Sequence, residues 1–128
     1  MKYLLDTHVI IWLAGVDAWK LSQKSKDVLF NNGNNLSISV VSLWEIAIKM
    51  NNNKLNLGIS LEELADKAQQ SKIDILPIKL EYLFGLSKLP FYHKDPFDRI
   101  LISTAICENM VILTADENIQ KYDVHWVW

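Results

Sequence analysis

The chain has little of several residue types. It carries one cysteine, Cys107, and one arginine, Arg99, among 128 residues, with only three prolines and four glycines. A lone cysteine excludes an internal disulfide framework, which points to a reducing, cytoplasmic setting. It lies in an apolar segment and reads as a small core residue. No apolar run approaches membrane-spanning length. The opening "MKYLLDTHVIIWLAG" has a leader's general look, but Asp6 and His8 interrupt it and no small-residue cleavage pattern follows. Strong positive charge is also missing. The formal net charge is -2, so composition does not announce a nucleic-acid binder. Setting four of the 15 acids aside around cations would leave 11 against 13 bases, a mildly positive remainder. No glycine-rich phosphate loop is present, which excludes a P-loop NTPase.

What is present is apolar substance: half of the residues are hydrophobic, enough for one domain, residues 1–128, with a real core. No internal repeat, long linker or low-complexity tail divides it. "KYLLD", "LSISV", "DILPI", "MVILT" and "VHWVW" read as strands. Helices are expected over Thr7–Ala14, ended by Gly15, over Leu21–Asn31, and from Leu43 to about Asn52. Another spans Ser60–Gln70, opened by a Ser60/Glu63 capping box. Further helices are expected over Lys79–Ser87, over Phe97–Asn109, and near Asp116–Lys121. Strands alternating with helices give an α/β fold: a three-layer sandwich around a parallel sheet of about five strands. In such sheets right-handed crossovers send every following helix off the carboxyl edge, where ligands bind.

Four acids fall at that edge. Asp6 closes the first strand, Glu45 and Asp98 lie in first turns, and Asp116 follows "VILTA". Each has a local explanation. Asp6 with Thr7 could cap a helix, "SLWE" (Ser42 to Glu45) is a capping box, and Asp116 suits an N-cap. In "HKDPFDR", Asp95 suits an N-cap, Pro96 the first helical position, and Asp98 the positive end of the helix dipole. The joint pattern asks for more. Two carboxylates about 4 Å apart repel by roughly 4 kcal/mol at an effective dielectric of 20. Four would take up protons or splay unless a cation held them. Oxygen-only ligation selects a hard ion, Mg²⁺ or Mn²⁺, whose chemistry on phosphate oxygens is in-line displacement at phosphorus.

"LLDTHVIIWLAG", "SVVSLWEIAIK", "HKDPFDRILISTA" and "VILTADENIQKY" together resemble, in order and over nearly the whole chain, the four motifs of the PIN domain family. The likeness is to the VapC-type ribonuclease toxins of type II toxin–antitoxin pairs. The resemblance implies a sheet ordered 3-2-1-4-5 and a Mg²⁺-dependent endoribonuclease whose metal-binding and catalytic acids fall on Asp6, Glu45, Asp98 and Asp116. It implies products with 5′-phosphate and 3′-hydroxyl ends, a homodimer, and a small cognate antitoxin that blocks the acidic crevice. Thr7, Ser42, Asp95 and Thr114 are candidates for supporting the carboxylates or a bound water, with caps and turn contacts as their plain roles. His93 reads as an exposed loop histidine or a substrate contact. Arg99 would pair with an acid, touch RNA phosphate, or face solvent. Lys49 and Lys54 are either an RNA track or a solvated helix end. Trp12, Trp44, Trp126 and Trp128 read as core or subunit interface.

Two other classes place acids at strand ends. A receiver-like Mg²⁺-binding signalling domain needs an acidic pair after the first strand and a phospho-acceptor after the third; Asp6 stands alone and "DILPIK" ends without an acid. A haloacid-type phosphatase needs a second acid where His8 stands. A PIN-type RNA-processing nuclease outside a toxin–antitoxin pair, and a non-catalytic module that keeps the fold, are the remaining alternatives.

Overall fold

A computed structural model describes residues 1–128. Its centre is a five-stranded sheet built from β1 (Lys2–Leu5), β2 (Asn35–Ser39), β3 (Asp74–Leu76), β4 (Val111–Leu113) and β5 (Trp126–Val127). Every pairing is parallel and the order is β3-β2-β1-β4-β5, as the resemblance implies. Helices fill the crossovers: α1 (Thr7–Leu13), α2 (Gln23–Leu29), α3 (Val40–Asn51), α4 (Leu61–Gln70), α5 (Leu80–Leu86), α6 (Pro96–Glu108) and α7 (Glu117–Gln120). No helix is long and apolar enough to cross a membrane.

Both faces of the sheet are covered. Leu4 and Leu5 are adjacent and wholly buried, but they enter different cores, because strand side chains alternate. Leu5 packs with Val9, Ile10, Ile38 and Ile46 from the side of α1 and α3. Leu4 packs with Leu101, Ile102, Ile112 and Ile119 on the side of α6. Double burial explains why these short strands read as unbroken apolar runs.

Local signals fix most helix ends. Ser60 accepts from Glu63 N and Glu63 reaches back to Ser60 N, the expected capping box. Asp95 Oδ1 accepts from Phe97 N at 2.9 Å and Asp98 N at 3.1 Å, with Pro96 in the first turn. The start of α3 differs from expectation. The helix begins at Val40, because Ser39 at the end of β2 caps it at once by accepting from Val41 N. The valines that look like strand are therefore helical. Ser42 is no cap, the "SLWE" capping box does not form, and Glu45 lies in the second turn rather than the first. The second helix is shorter than expected, since Ser22 caps it at Gln23. Cys107 is exposed rather than in the core: its face of α6 lies beside α5, with Sγ 3.6 Å from the Glu81 carbonyl oxygen.

α5 and α6 approach closely at Gly85, where an added Cβ would stand 2.6 Å from Ser103 Oγ. That hydroxyl is buried and donates to the Tyr82 carbonyl, so it cannot turn away without losing its partner. Gly85→Ala gains about 1 kcal/mol of helix propensity but overpacks a site where the cost is about 1–3 kcal/mol. A net loss is expected, read as a lower urea midpoint with an unchanged slope.

Candidate active site

The sheet order reverses between β1 and β4, and Leu5 pairs with Leu113 there. The next residue on each strand is Asp6 and Thr114. Asp6 N donates to the Leu113 carbonyl at 3.1 Å, and Thr114 Oγ1 donates to Asp6 Oδ2 at 2.8 Å. The same hydroxyl accepts from Asp116 N at 3.0 Å. One fully buried threonine thus ties the two acids at the switch point to a single atom. Asp6 occupies the N-cap position of α1 but makes no side-chain cap bond.

Glu45 reaches the same edge from the second turn of α3 and is 7% exposed. Lys49, one turn later, meets its Oε2 at 3.0 Å. Lys49 thus pairs with the acid while its side chain stays 30% exposed. Glu45 Oε1 is buried without any hydrogen-bond partner. Asp98 enters from the first turn of α6; its Oδ2 lies 3.1 Å from His93 Nε2. Asp116 caps α7 through Oδ1, which accepts from Asn118 N at 2.8 Å. Thr7 and Ser42 bond each other, Oγ1 to Oγ at 2.9 Å, and so pin the start of α1 to α3 beneath the edge.

A common arrangement emerges. One oxygen of each carboxylate is held by a protein partner: Thr114 on Asp6, Lys49 on Glu45, His93 on Asp98, and the α7 backbone on Asp116. The four also share one electrostatic neighbourhood. Burial pushes the Asp98 carboxyl up to about 8, helped by the negative charges of Asp95, Asp6, Asp116 and Glu45. Burial likewise raises Asp6, against the lowering effect of the Thr114 hydrogen bond. Yet the acids stop short of a closed ligand shell: no three His, Cys, Asp or Glu side chains stand close enough to hold one ion as placed. The donor set suits a hard dication: all oxygen, one oxygen of each carboxylate already oriented, and a buried Glu45 oxygen with no other partner.

Sequence reading missed a network behind Asp98. His93 is not an exposed loop residue; only 12% of its side chain is exposed. Its Nδ1 lies 2.9 Å from Tyr122 Oη, and its backbone N–H also donates to that oxygen. Arg99 is buried and takes none of its expected roles. Nη1 donates to the Pro90 carbonyl and to Tyr122 Oη, each at 2.9 Å, while the guanidinium lies 4.6 Å over the Phe91 ring.

A sequence model of the PIN domain matches residues 3–124. The chain belongs to the PIN domain family. Structures similar to this PIN domain include VapBC2 from Rickettsia felis bound to a DNA fragment from its promoter, at 18% identity, a TM-score of 0.71, and coverage of 99% of this chain and 98% of that one. VapBC-1 from nontypeable Haemophilus influenzae matches at 20% identity and a TM-score of 0.69, covering 99% and 97%. A toxin–antitoxin complex from Klebsiella pneumoniae matches at 18% identity and 0.62, covering 98% and 96%. At these identities the likeness is one of fold. A search of curated proteins returns no match. A concavity of about 630 Å³ in this PIN domain is lined mainly by apolar side chains, including Leu13, Phe30, Leu57, Ile59 and Leu64, and by none of the four acids.

The raised Asp98 sets a pH dependence. Its folded value of about 8 exceeds its ordinary 3.8, so the folded chain keeps a proton that the unfolded chain releases. That contribution to stability is complete below the ordinary value and is lost as pH rises through the folded one. In the absence of divalent ions, stability is expected to fall from about pH 5 to about pH 8. Asp98→Asn should flatten the decline and raise stability at the alkaline end by on the order of a few kcal/mol, measured by urea unfolding across that range.

Proposed function

We propose that this PIN domain is a Mg²⁺-dependent endoribonuclease, with Mn²⁺ able to substitute, and that it acts as the toxin of a type II toxin–antitoxin pair. The observation that carries the enzymatic reading is the set of four carboxylates at the switch point, each with one oxygen held by the protein, and Glu45 Oε1 buried without a partner. A buried unpaired carboxylate oxygen costs about 1–3 kcal/mol or more, a cost that a cation would relieve. Asp6, Glu45, Asp98 and Asp116 are the residues that would hold the ion. Bound there, Mg²⁺ supplies a Lewis acid for a phosphodiester oxygen and lowers the pKa of water. Thr114 orients Asp6 and keeps Asp116 beside it. Thr7 and Ser42 hold the floor, and Asp95 holds the first turn of α6. RNA is the proposed substrate by family resemblance; the acidic edge requires a cation between protein and phosphate in any case.

The toxin role is supported by the three neighbouring structures, each described as a VapBC or toxin–antitoxin assembly. The proposed partners are a small antitoxin and a second copy of this chain. The apolar concavity beside α4 suits an apolar antitoxin segment better than it suits RNA. A different surface suits self-association. Trp44 and Ile48 on α3 and Leu80, Leu83 and Phe84 on α5 are all exposed apolar side chains, the kind of surface that self-association would cover.

Two measurements test this reading. Purified protein with Mg²⁺ is expected to cleave RNA internally, leaving 5′-phosphate and 3′-hydroxyl ends. EDTA, Asp6→Asn or Asp98→Asn should each lower the rate at least about a hundredfold. No cleavage by the unsubstituted chain across a broad RNA panel, or equal cleavage in EDTA, would refute it. For the assembly, sedimentation equilibrium is expected to show a dimer, and Phe84→Glu a monomer that keeps the far-ultraviolet circular dichroism of the unsubstituted chain. A monomeric unsubstituted chain would remove the self-association.

A further inference from the structure

The contacts around Tyr122 Oη allow only one arrangement of hydrogens. Three nitrogens meet this oxygen: Arg99 Nη1 at 2.9 Å, the His93 backbone N at 3.3 Å and His93 Nδ1 at 2.9 Å. A guanidinium and a backbone N–H can only donate. Together they occupy both lone pairs of the phenol, which leaves the phenol hydrogen for the third contact. His93 Nδ1 must therefore accept. The neutral imidazole then carries its hydrogen on Nε2, and that nitrogen faces Asp98 Oδ2 at 3.1 Å. If Nδ1 carried the hydrogen, the phenol oxygen would meet three donors, one more than its two lone pairs accept.

We infer that Tyr122, anchored by the buried Arg99, fixes the tautomer of His93 so that Nε2–H donates to Asp98 and holds that carboxylate in one orientation for cation binding. His93 and Tyr122 are positioning residues, not ligands. Tyr122 is 4% exposed and packs in the core beside Ile119, so its hydroxyl is set by the fold rather than by a mobile loop. His93 sits after Pro90, whose carbonyl Arg99 also holds. The relay therefore runs from a core tyrosine, through one ring, to a carboxylate at the site. Hydrogen bonds that orient ligating groups from behind are worth about 10- to 100-fold in metal affinity.

The inference rests on the metal-site reading for its purpose, but its chemistry can be tested without metal. Two-bond ¹⁵N–¹H correlation spectra of the metal-free protein are expected to show His93 Nδ1 unprotonated and Nε2 protonated. In Tyr122→Phe the two tautomers should mix. Isothermal titration with Mn²⁺ should then show Tyr122→Phe and His93→Ala weakened about 10- to 100-fold. His93→Gln, whose amide can still donate to Asp98, should recover most of the loss. Backbone amide spectra matching those of the unsubstituted chain show that the variants fold. A hydrogen on Nδ1, or a Tyr122→Phe spectrum with the tautomer unchanged, overturns the relay. So does Mn²⁺ binding that is equal in all four proteins. An unsubstituted protein that binds no Mn²⁺ refutes the metal-site reading instead, and the tautomer spectra still decide whether the relay exists.

Discussion

The structure turns on one costly arrangement: carboxylates from four separate stretches gathered at a buried sheet edge. Burial is the largest cause raising Asp6 and Asp98, and the neighbouring acids add their charge to the field at Asp98. A fold can maintain such a site only if the backbone beneath it does not yield. Here the edge is backed on both faces by apolar cores, and adjacent residues of β1 belong to opposite ones. The parallel pairing of β1 with β4 then leaves no freedom in where Asp6 and Thr114 fall. Rigidity of the sheet is what lets one hydroxyl serve two acids.

Helix capping and chemistry divide the acids between them instead of competing. Asp95 takes both backbone donors at the start of α6, so Asp98 carries no capping duty and keeps its carboxyl for the crevice. Asp116 does both, capping α7 with one oxygen only. Asp6 stands at a cap position and caps nothing, and Glu45 is too far into α3 to cap. An acid at a helix start that does not cap, or that is buried one turn too late to cap, is bearing a cost that local structure does not explain. That discrepancy separates Asp6, Glu45 and Asp98 from Asp95 more sharply than their spacing along the chain.

The sheet was legible because doubly buried strands are written as contiguous apolar runs, and the turns between them carry polar caps such as Ser60 and Asp95. Motif resemblance supplied the strand order, which runs of hydrophobicity cannot. Errors came where two local signals overlapped. "SVVSLWE" offers two serines as caps. β-branched valines favour strand, and only the structure shows that Ser39 captures Val41 N first. One consequence is that Glu45 lies not in the first turn of α3 but in the second, where it is buried. His93, Arg99 and Tyr122 were beyond reach for another reason: their contacts join residues 23 and 29 positions apart, and neither periodicity nor composition encodes them. Cys107 was misplaced because helical spacing around α6 puts Ala105 inward and Ile106 and Cys107 outward, despite equal apolarity.

The single arginine shows why identity and charge do not predict role. In a mildly acidic chain proposed to act on RNA, the obvious use for Arg99 is phosphate, and the next is a neighbouring acid. It takes neither. Its Nη1 bonds end on a carbonyl and a phenol, and its face is covered by Phe91, so a full positive charge is buried 8% exposed without neutralising any carboxylate. Guanidinium suits that position because several donors can be satisfied in a fixed plane while the flat faces pack on rings. Had Arg99 instead closed onto Asp98 or Asp116, the crevice would hold an internal ion pair and compete with any dication for the same oxygens. With Nη1 bonded to Pro90 and Tyr122, it ties the segment before α6 to the core and forms no ion pair with the acids of the edge.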